Sequence, residues 1–166
     1  MKNIPLIYEK SENSEGFKFN LLYKEVSGNS SGANITGLVN LITKNSEGLN
    51  ISGLATSVVG NSKGANLSGF MTLIERYSKG LNISGAYTHS GKSDGFLIQY
   101  GTVANNLNEF SEGSFVLQIG LYNAIGNQYS FIMNLRGLKN FPKQFKNLFT
   151  KKNIEKKVLK VPVKRY

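Results

Sequence analysis

The side chains able to do chemistry in this chain are few and scattered. There is no cysteine and His89 is the sole histidine, so disulfide frameworks, thiolate metal sites and cysteine nucleophiles are excluded by composition. Tyr87 stands two residues from His89, but general acid–base catalysis needs a nucleophile or carboxylate in hydrogen-bond reach, and no spacing supplies one. His89 therefore reads as a surface or strand-end histidine. Glu15, Glu47, Asp94 and Glu112 fall in turn motifs, where carboxylates are solvated and lack the burial and proximity of a catalytic pair. Ser27-Gly28-Asn29-Ser30-Ser31-Gly32 lacks the Gly-Lys-Ser/Thr ending and the following helix of a phosphate loop. The sequence thus predicts no catalytic residue, no cofactor site and no metal site, and reads as a non-enzymatic protein. Asn34, Asn50, Asn66 and Asn82 begin Asn-X-Ser/Thr triplets, as does Asn29, and these read as the polar face of a repeat rather than as glycosylation acceptors.

Two features keep a binding role open. The first is charge. Residues 1–135 carry 9 Lys/Arg against 9 acids, whereas residues 136–166 carry 11 against Glu155 alone, so the whole net charge of +10 lies in the last segment. Lys143, Lys146, Lys151, Lys152, Lys156, Lys157, Lys160, Lys164 and Arg165 are candidate contacts to an anionic surface, either lipid headgroups or nucleic acid, because clustered cations gain from counterion release whatever the sequence bound. The bland alternative is a solvated tail that keeps a neutral body soluble. The second feature is a set of large apolar residues, Leu38, Leu54 and Phe70, in the middle of otherwise polar strand faces. They are the candidate contact face for a protein partner.

The elements that must position these residues are repeats. Gly32-Ala33-Asn34-Ile35-Thr36-Gly37 returns as Gly48-Leu49-Asn50-Ile51-Ser52-Gly53, Gly64-Ala65-Asn66-Leu67-Ser68-Gly69 and Gly80-Leu81-Asn82-Ile83-Ser84-Gly85, at an interval of 16. Each phrase follows a polar, glycine-closed motif such as Asn45-Ser46-Glu47-Gly48, the chemistry of a three-residue hairpin loop with a bulge. In that reading Asn61 opposes Ala65 and Val59 opposes Leu67. Odd positions (Leu49, Ile51, Ala55) form an apolar face, and even positions (Asn50, Ser52, Thr56) a polar one.

The turn chemistry predicts an all-β antiparallel up-and-down meander. Its strands fall near 16–26, 32–43, 48–59, 64–76, 80–90, 95–105, 113–124 and 128–136, with an edge strand at 4–10, and the sheet is curled or closed as a barrel. The alternative is a β-solenoid whose coil is the 16-residue unit, with Asn34, Asn50, Asn66 and Asn82 stacked as a ladder. Residues 1–136 form the repeat domain. Residues 137–166 form the basic tail, in which Phe141, Phe145, Leu148 and Phe149 have the spacing of a short amphipathic helix.

Leu117-Gln118-Ile119-Gly120-Leu121-Tyr122-Asn123 and Asn34-Ile35-Thr36-Gly37-Leu38-Val39-Asn40 resemble the G-L-Q-I-G-L-V-N unit of bacterial surface repeat proteins, over roughly residues 16–135. The resemblance implies a cell-envelope context and brings no catalytic residues with it. The N-terminus has too short an apolar run for a signal peptide, which makes the cytoplasm the default expectation. The expected function is a structural, surface- or membrane-associated role, with apolar odd positions against lipid. The alternatives are a soluble module whose odd face is the core and which binds a protein partner, or nucleic-acid and anionic-lipid binding through the tail. An open sheet would pair with a second copy.

Overall fold

Two strands and two corners make each 16-residue repeat one coil of a right-through stack, and the chain advances by one strand spacing per coil. The computed structural model describes residues 7–137, and its regular elements are all β-strands. They are β1 (Tyr8–Ser11), β2 (Phe17–Asn20), β3 (Tyr23–Val26), β4 (Ser30–Thr36), β5 (Val39–Ile42), β6 (Ser46–Ser52), β7 (Ala55–Val58), β8 (Ser62–Ser68), β9 (Met71–Ser84), β10 (Tyr87–Gly101), β11 (Ala104–Phe110), β12 (Phe115–Ile125) and β13 (Gln128–Arg136). Asn34 pairs with Asn50, Asn50 with Asn66 and Asn66 with Asn82, all in parallel. On the second sheet Val39 pairs with Ala55 and Ala55 with Met71, again in parallel. The molecule is a β-solenoid of about seven turns.

The antiparallel meander and its closure into a barrel are therefore corrected, and the 16-residue coil is what forms. The turn glycines do adopt positive φ, with Gly32, Gly48, Gly64 and Gly80 between 100° and 126°. They do not reverse the chain onto itself. Gly48 lies inside β6, opposite Gly32 of β4, and an added Cβ would sit 2.1 Å from the Gly32 carbonyl oxygen. The same residue type satisfies a bulged hairpin and a tight coil-to-coil stack, so turn chemistry alone does not separate them. The expected strands 16–26, 32–43, 48–59 and 64–76 are each broken in two at a corner, as at Gly37-Leu38 between β4 and β5, whereas 113–124 and 128–136 each form as one continuous strand, β12 and β13.

The inside and the outside are also reversed relative to a soluble module with an odd core. Even positions are the buried ones: Ser46, Asn50, Ser52, Thr56 and Val58 of one coil all point between the two sheets. The asparagine line of the polar interior is satisfied by identical neighbours one coil away, whereas the Asn20 amide, Thr36 Oγ1 and Asn40 Oδ1 make no hydrogen bond among the described residues. Asn34 Nδ2 donates to Asn50 Oδ1 at 3.0 Å, Asn50 Nδ2 to Asn66 Oδ1 at 2.8 Å, and Asn66 Nδ2 to Asn82 Oδ1 at 2.8 Å. Each amide also donates to the serine four residues before it, as Asn50 does to Ser46 Oγ at 2.7 Å. Apolar packing is confined to one column of the interior, Val26, Ile42, Val58 and Ile74, with a second cluster of Leu97, Leu107, Val116 and Ile125 near the C-terminal end.

The later units drift in length but keep the stack. Gln99 and Gln118 continue the interior line of Asn82, with Gln118 Nε2 donating to Gln99 Oε1 at 2.8 Å. The chain then turns at Gly126, and β13 runs back antiparallel along the whole of β12, closing the C-terminal end. β1 supplies the described end of the expected 4–10 edge strand and pairs parallel with β3. The expected helix over 141–149 and the basic tail lie outside the described residues.

Candidate functional site

The corner between the two sheets is the most repetitive surface feature. Its geometry begins with glycine. An added Cβ at Gly37, Gly53, Gly69 or Gly85 would fall 1.7–2.1 Å from the carbonyl oxygen one coil back, so no larger residue can turn the chain so closely there. The next residue, Leu38, Leu54 or Phe70, is thrown outward. Between the inward Thr36 and the inward Asn40, three residues face out, which is why these even-numbered side chains escape the interior.

The structure brings the three predicted contact residues together. Leu54 N donates to Leu38 O at 2.9 Å and Phe70 N donates to Leu54 O at 2.9 Å, so successive side chains stand one strand spacing apart, about 4.8 Å. Leu38 and Leu54 are each 46% exposed and Phe70 is 55% exposed. The same backbone ladder extends the line to Leu22 before it and to Ala86 and Val103 after it, and Leu121 occupies the corner of the last coil. These four positions escape a reading limited to the strict repeats. Their signal was the interval of 16 to 18 residues from Leu22 to Leu121.

The flanks of this corner are also apolar. On one outer face Phe19, Ile35, Ile51, Leu67, Ile83, Tyr100 and Ile119 form a continuous column. On the other, Tyr23, Val39, Ala55, Met71 and Tyr87 do the same. Side chains in the strict repeats of both columns are half-buried, each shielded by the coils on either side.

Charge collects at the opposite corner. Glu12, Glu15, Lys44, Glu47, Lys63, Glu75, Arg76, Lys79, Asp94, Glu109 and Glu112 lie on it or beside it, and Lys63 Nζ meets Glu47 Oε1 at 3.0 Å. Both members of that pair are exposed, so it adds little to stability. An outer asparagine line supports this corner: the backbone N–H of Asn45 and of Asn61 donates to the side-chain oxygen of Asn29 and of Asn45, at 3.2 and 3.0 Å. Asn61, Lys63, Tyr77, Lys79 and Asp94 border a shallow hollow here.

His89 stands on an outer face in register with Leu73 and stacks on Tyr87, with ring centroids 6.4 Å apart. Burial lowers its pKa, against the opposing pull of Glu75. The buried ionisable group that sequence reasoning missed is Lys24. Its ammonium donates to Ser14 Oγ at 2.6 Å and to Asn34 Oδ1, inside the first coils. Burial lowers its pKa to about 8, opposed by Glu9 and aided by Lys18. The signal for its burial was present, since Lys24 lies 16 residues before the interior Asn40. Both groups have structural surroundings. The tail candidates Lys143, Lys146, Lys151, Lys152, Lys156, Lys157, Lys160, Lys164 and Arg165 lie outside the described residues.

Comparison of the chain with protein-family models, with curated proteins and with solved structures gives no match.

Proposed function

We propose that this β-solenoid is a non-enzymatic structural protein that lies along an anionic lipid surface, its Gly-Leu corner toward the lipid and its basic C-terminal segment on the headgroups. The observation that carries the reading is the segregation of the exterior. Leu38, Leu54, Phe70, Val103 and Leu121 line one corner, while most of the charges of the repeat body lie on or beside the other, next to the exposed Val59 and Tyr77. Contiguous exposed apolar surface of this extent marks a contact site. The basic segment that follows the repeat body in the sequence favours an anionic partner, at about 1 kcal/mol for each Lys or Arg near the surface. No helix among the described residues is long and apolar enough to cross a membrane, and the contact proposed is with the surface of the bilayer.

The test is co-sedimentation of the full chain with vesicles of phosphatidylcholine alone or mixed with phosphatidylserine. Binding to the mixed vesicles is expected to weaken as salt is raised. Replacing Leu38, Leu54 and Phe70 together by Ser should lower partitioning tenfold or more, about 1.4 kcal/mol spread over three partly exposed side chains. Replacing Lys143, Lys146, Lys151, Lys152, Lys156, Lys157, Lys160 and Lys164 by Gln should remove most of the salt dependence. Absence of vesicle binding, or binding untouched by either set, would overturn the proposal. Retention on DNA but not on vesicles would do so too, and would transfer the role to the basic segment.

A further inference from the structure

The two ends of the solenoid are protected differently. At the N-terminal end, the edge strands β1 and β2 carry Glu9, Lys10 and Lys18, the kind of charge that keeps another strand from adding to an open edge. At the C-terminal end, β13 is the last strand of the sheet, and its outer edge pairs with no strand among the described residues. Gln128 to Leu135 contain no charged residue and no proline, and Tyr129, Phe131, Ile132 and Met133 are 53–78% exposed. A long uncharged edge of this kind is a template for a further strand.

Which strand it takes follows from direction and symmetry. β13 runs along one sheet from Gln128 to Phe131, turns the corner at Ile132, whose φ is 70°, and continues along the other sheet to Arg136. A two-fold axis through that corner, perpendicular to the stack, places one sheet of a molecule on the other sheet of its mate. It makes the two β13 strands antiparallel, and a two-fold contact of this type closes on itself. With Ile132 on the axis, Phe131 opposes Met133 of the second copy and Tyr129 opposes Leu135, so each apolar residue meets an apolar one.

We infer that β13 is a homodimer interface through which two copies join end to end, β13 against β13, into one continuous solenoid. The pairing leaves the Gly-Leu corners of both copies on one line, and it forms in solution whether or not lipid is bound.

The experiment uses the full chain without lipid. Light scattering after size exclusion is expected to give twice the chain mass. Phe131→Lys with Met133→Lys should give a folded monomer, judged by an unchanged β-sheet circular dichroism spectrum. The absence of cysteine allows a positional test. Antiparallel partners place their Cα atoms about 4.5–5.5 Å apart, within disulfide range, so Ile132→Cys should oxidise to a covalent dimer while Phe17→Cys, at the other end, should not. A monomeric full chain, a dimer that persists in the folded double-lysine variant, or cross-linking through Phe17→Cys instead of Ile132→Cys would overturn the inference.

Discussion

Lys24 and Ser14 together supply the donors at the first oxygen of the interior asparagine ladder. From Asn50 onward each side-chain oxygen accepts from the asparagine one coil earlier, but the residue one coil before Asn34 is Lys18. The Lys24 ammonium and the Ser14 hydroxyl take the place of the absent amide at Asn34 Oδ1, Ser14 Oγ donating at 3.0 Å while it accepts from Lys24 at 2.6 Å. The cost is a buried amine whose pKa falls from 10.5 to about 8. Between pH 8 and 10.5 the unfolded chain holds a proton that the folded chain has released, so raising the pH across that window favours folding. Denaturant titrations should show stability rising by up to about 3 kcal/mol more in the wild type than in Lys24→Met over that interval. Equal slopes for the two proteins would mean that the amine is solvated. Nothing in the type or local pattern of Lys24 marks it as buried. Only the interval to Asn40 does, and that interval is informative once parallel stacking is known.

At the scale of elements, the 16-residue unit, the turn glycines and the strict alternation were all readable from the residues, and the direction of pairing was not. An even repeat keeps alternation in phase for an antiparallel hairpin and for a parallel coil alike, because both leave odd positions on one side. What separates them is contact between residue i and residue i+16. The identical asparagines supply it, since an amide can donate to its own copy one coil on. Gly53 carries a second mark of stacking. A methyl group added there would meet the Gly37 carbonyl oxygen at 1.9 Å, whereas a hairpin with Gly53 in mid-strand would accept alanine easily. Gly53→Ala should therefore lower stability by about 2–3 kcal/mol, the cost of overpacking against fixed backbone. A neutral or stabilising effect in thermal melts would contradict the coil geometry.

Over the whole molecule the usual distribution of polarity is inverted, with amides and hydroxyls inside and aliphatic columns outside. The partition of charge between body and basic segment was legible by counting. The gathering of most of the body's charges on or beside one corner was not, because residues 16 apart become neighbours only in the stack. Leu38, Leu54 and Phe70 were legible as apolar exceptions on polar strands, and the coil explains them as corner residues held outward by the glycines that precede them. The proposed lipid contact depends on which corner faces the bilayer, and a chain without cysteine lets each corner be labelled singly. The direct measurement is the emission of an environment-sensitive fluorophore attached at Leu54→Cys or at Lys63→Cys, recorded as vesicles containing phosphatidylserine are added. The prediction is a blue shift with rising intensity at position 54 and an unchanged spectrum at position 63. Equal responses at both corners, or a shift at position 63 alone, would contradict the orientation proposed.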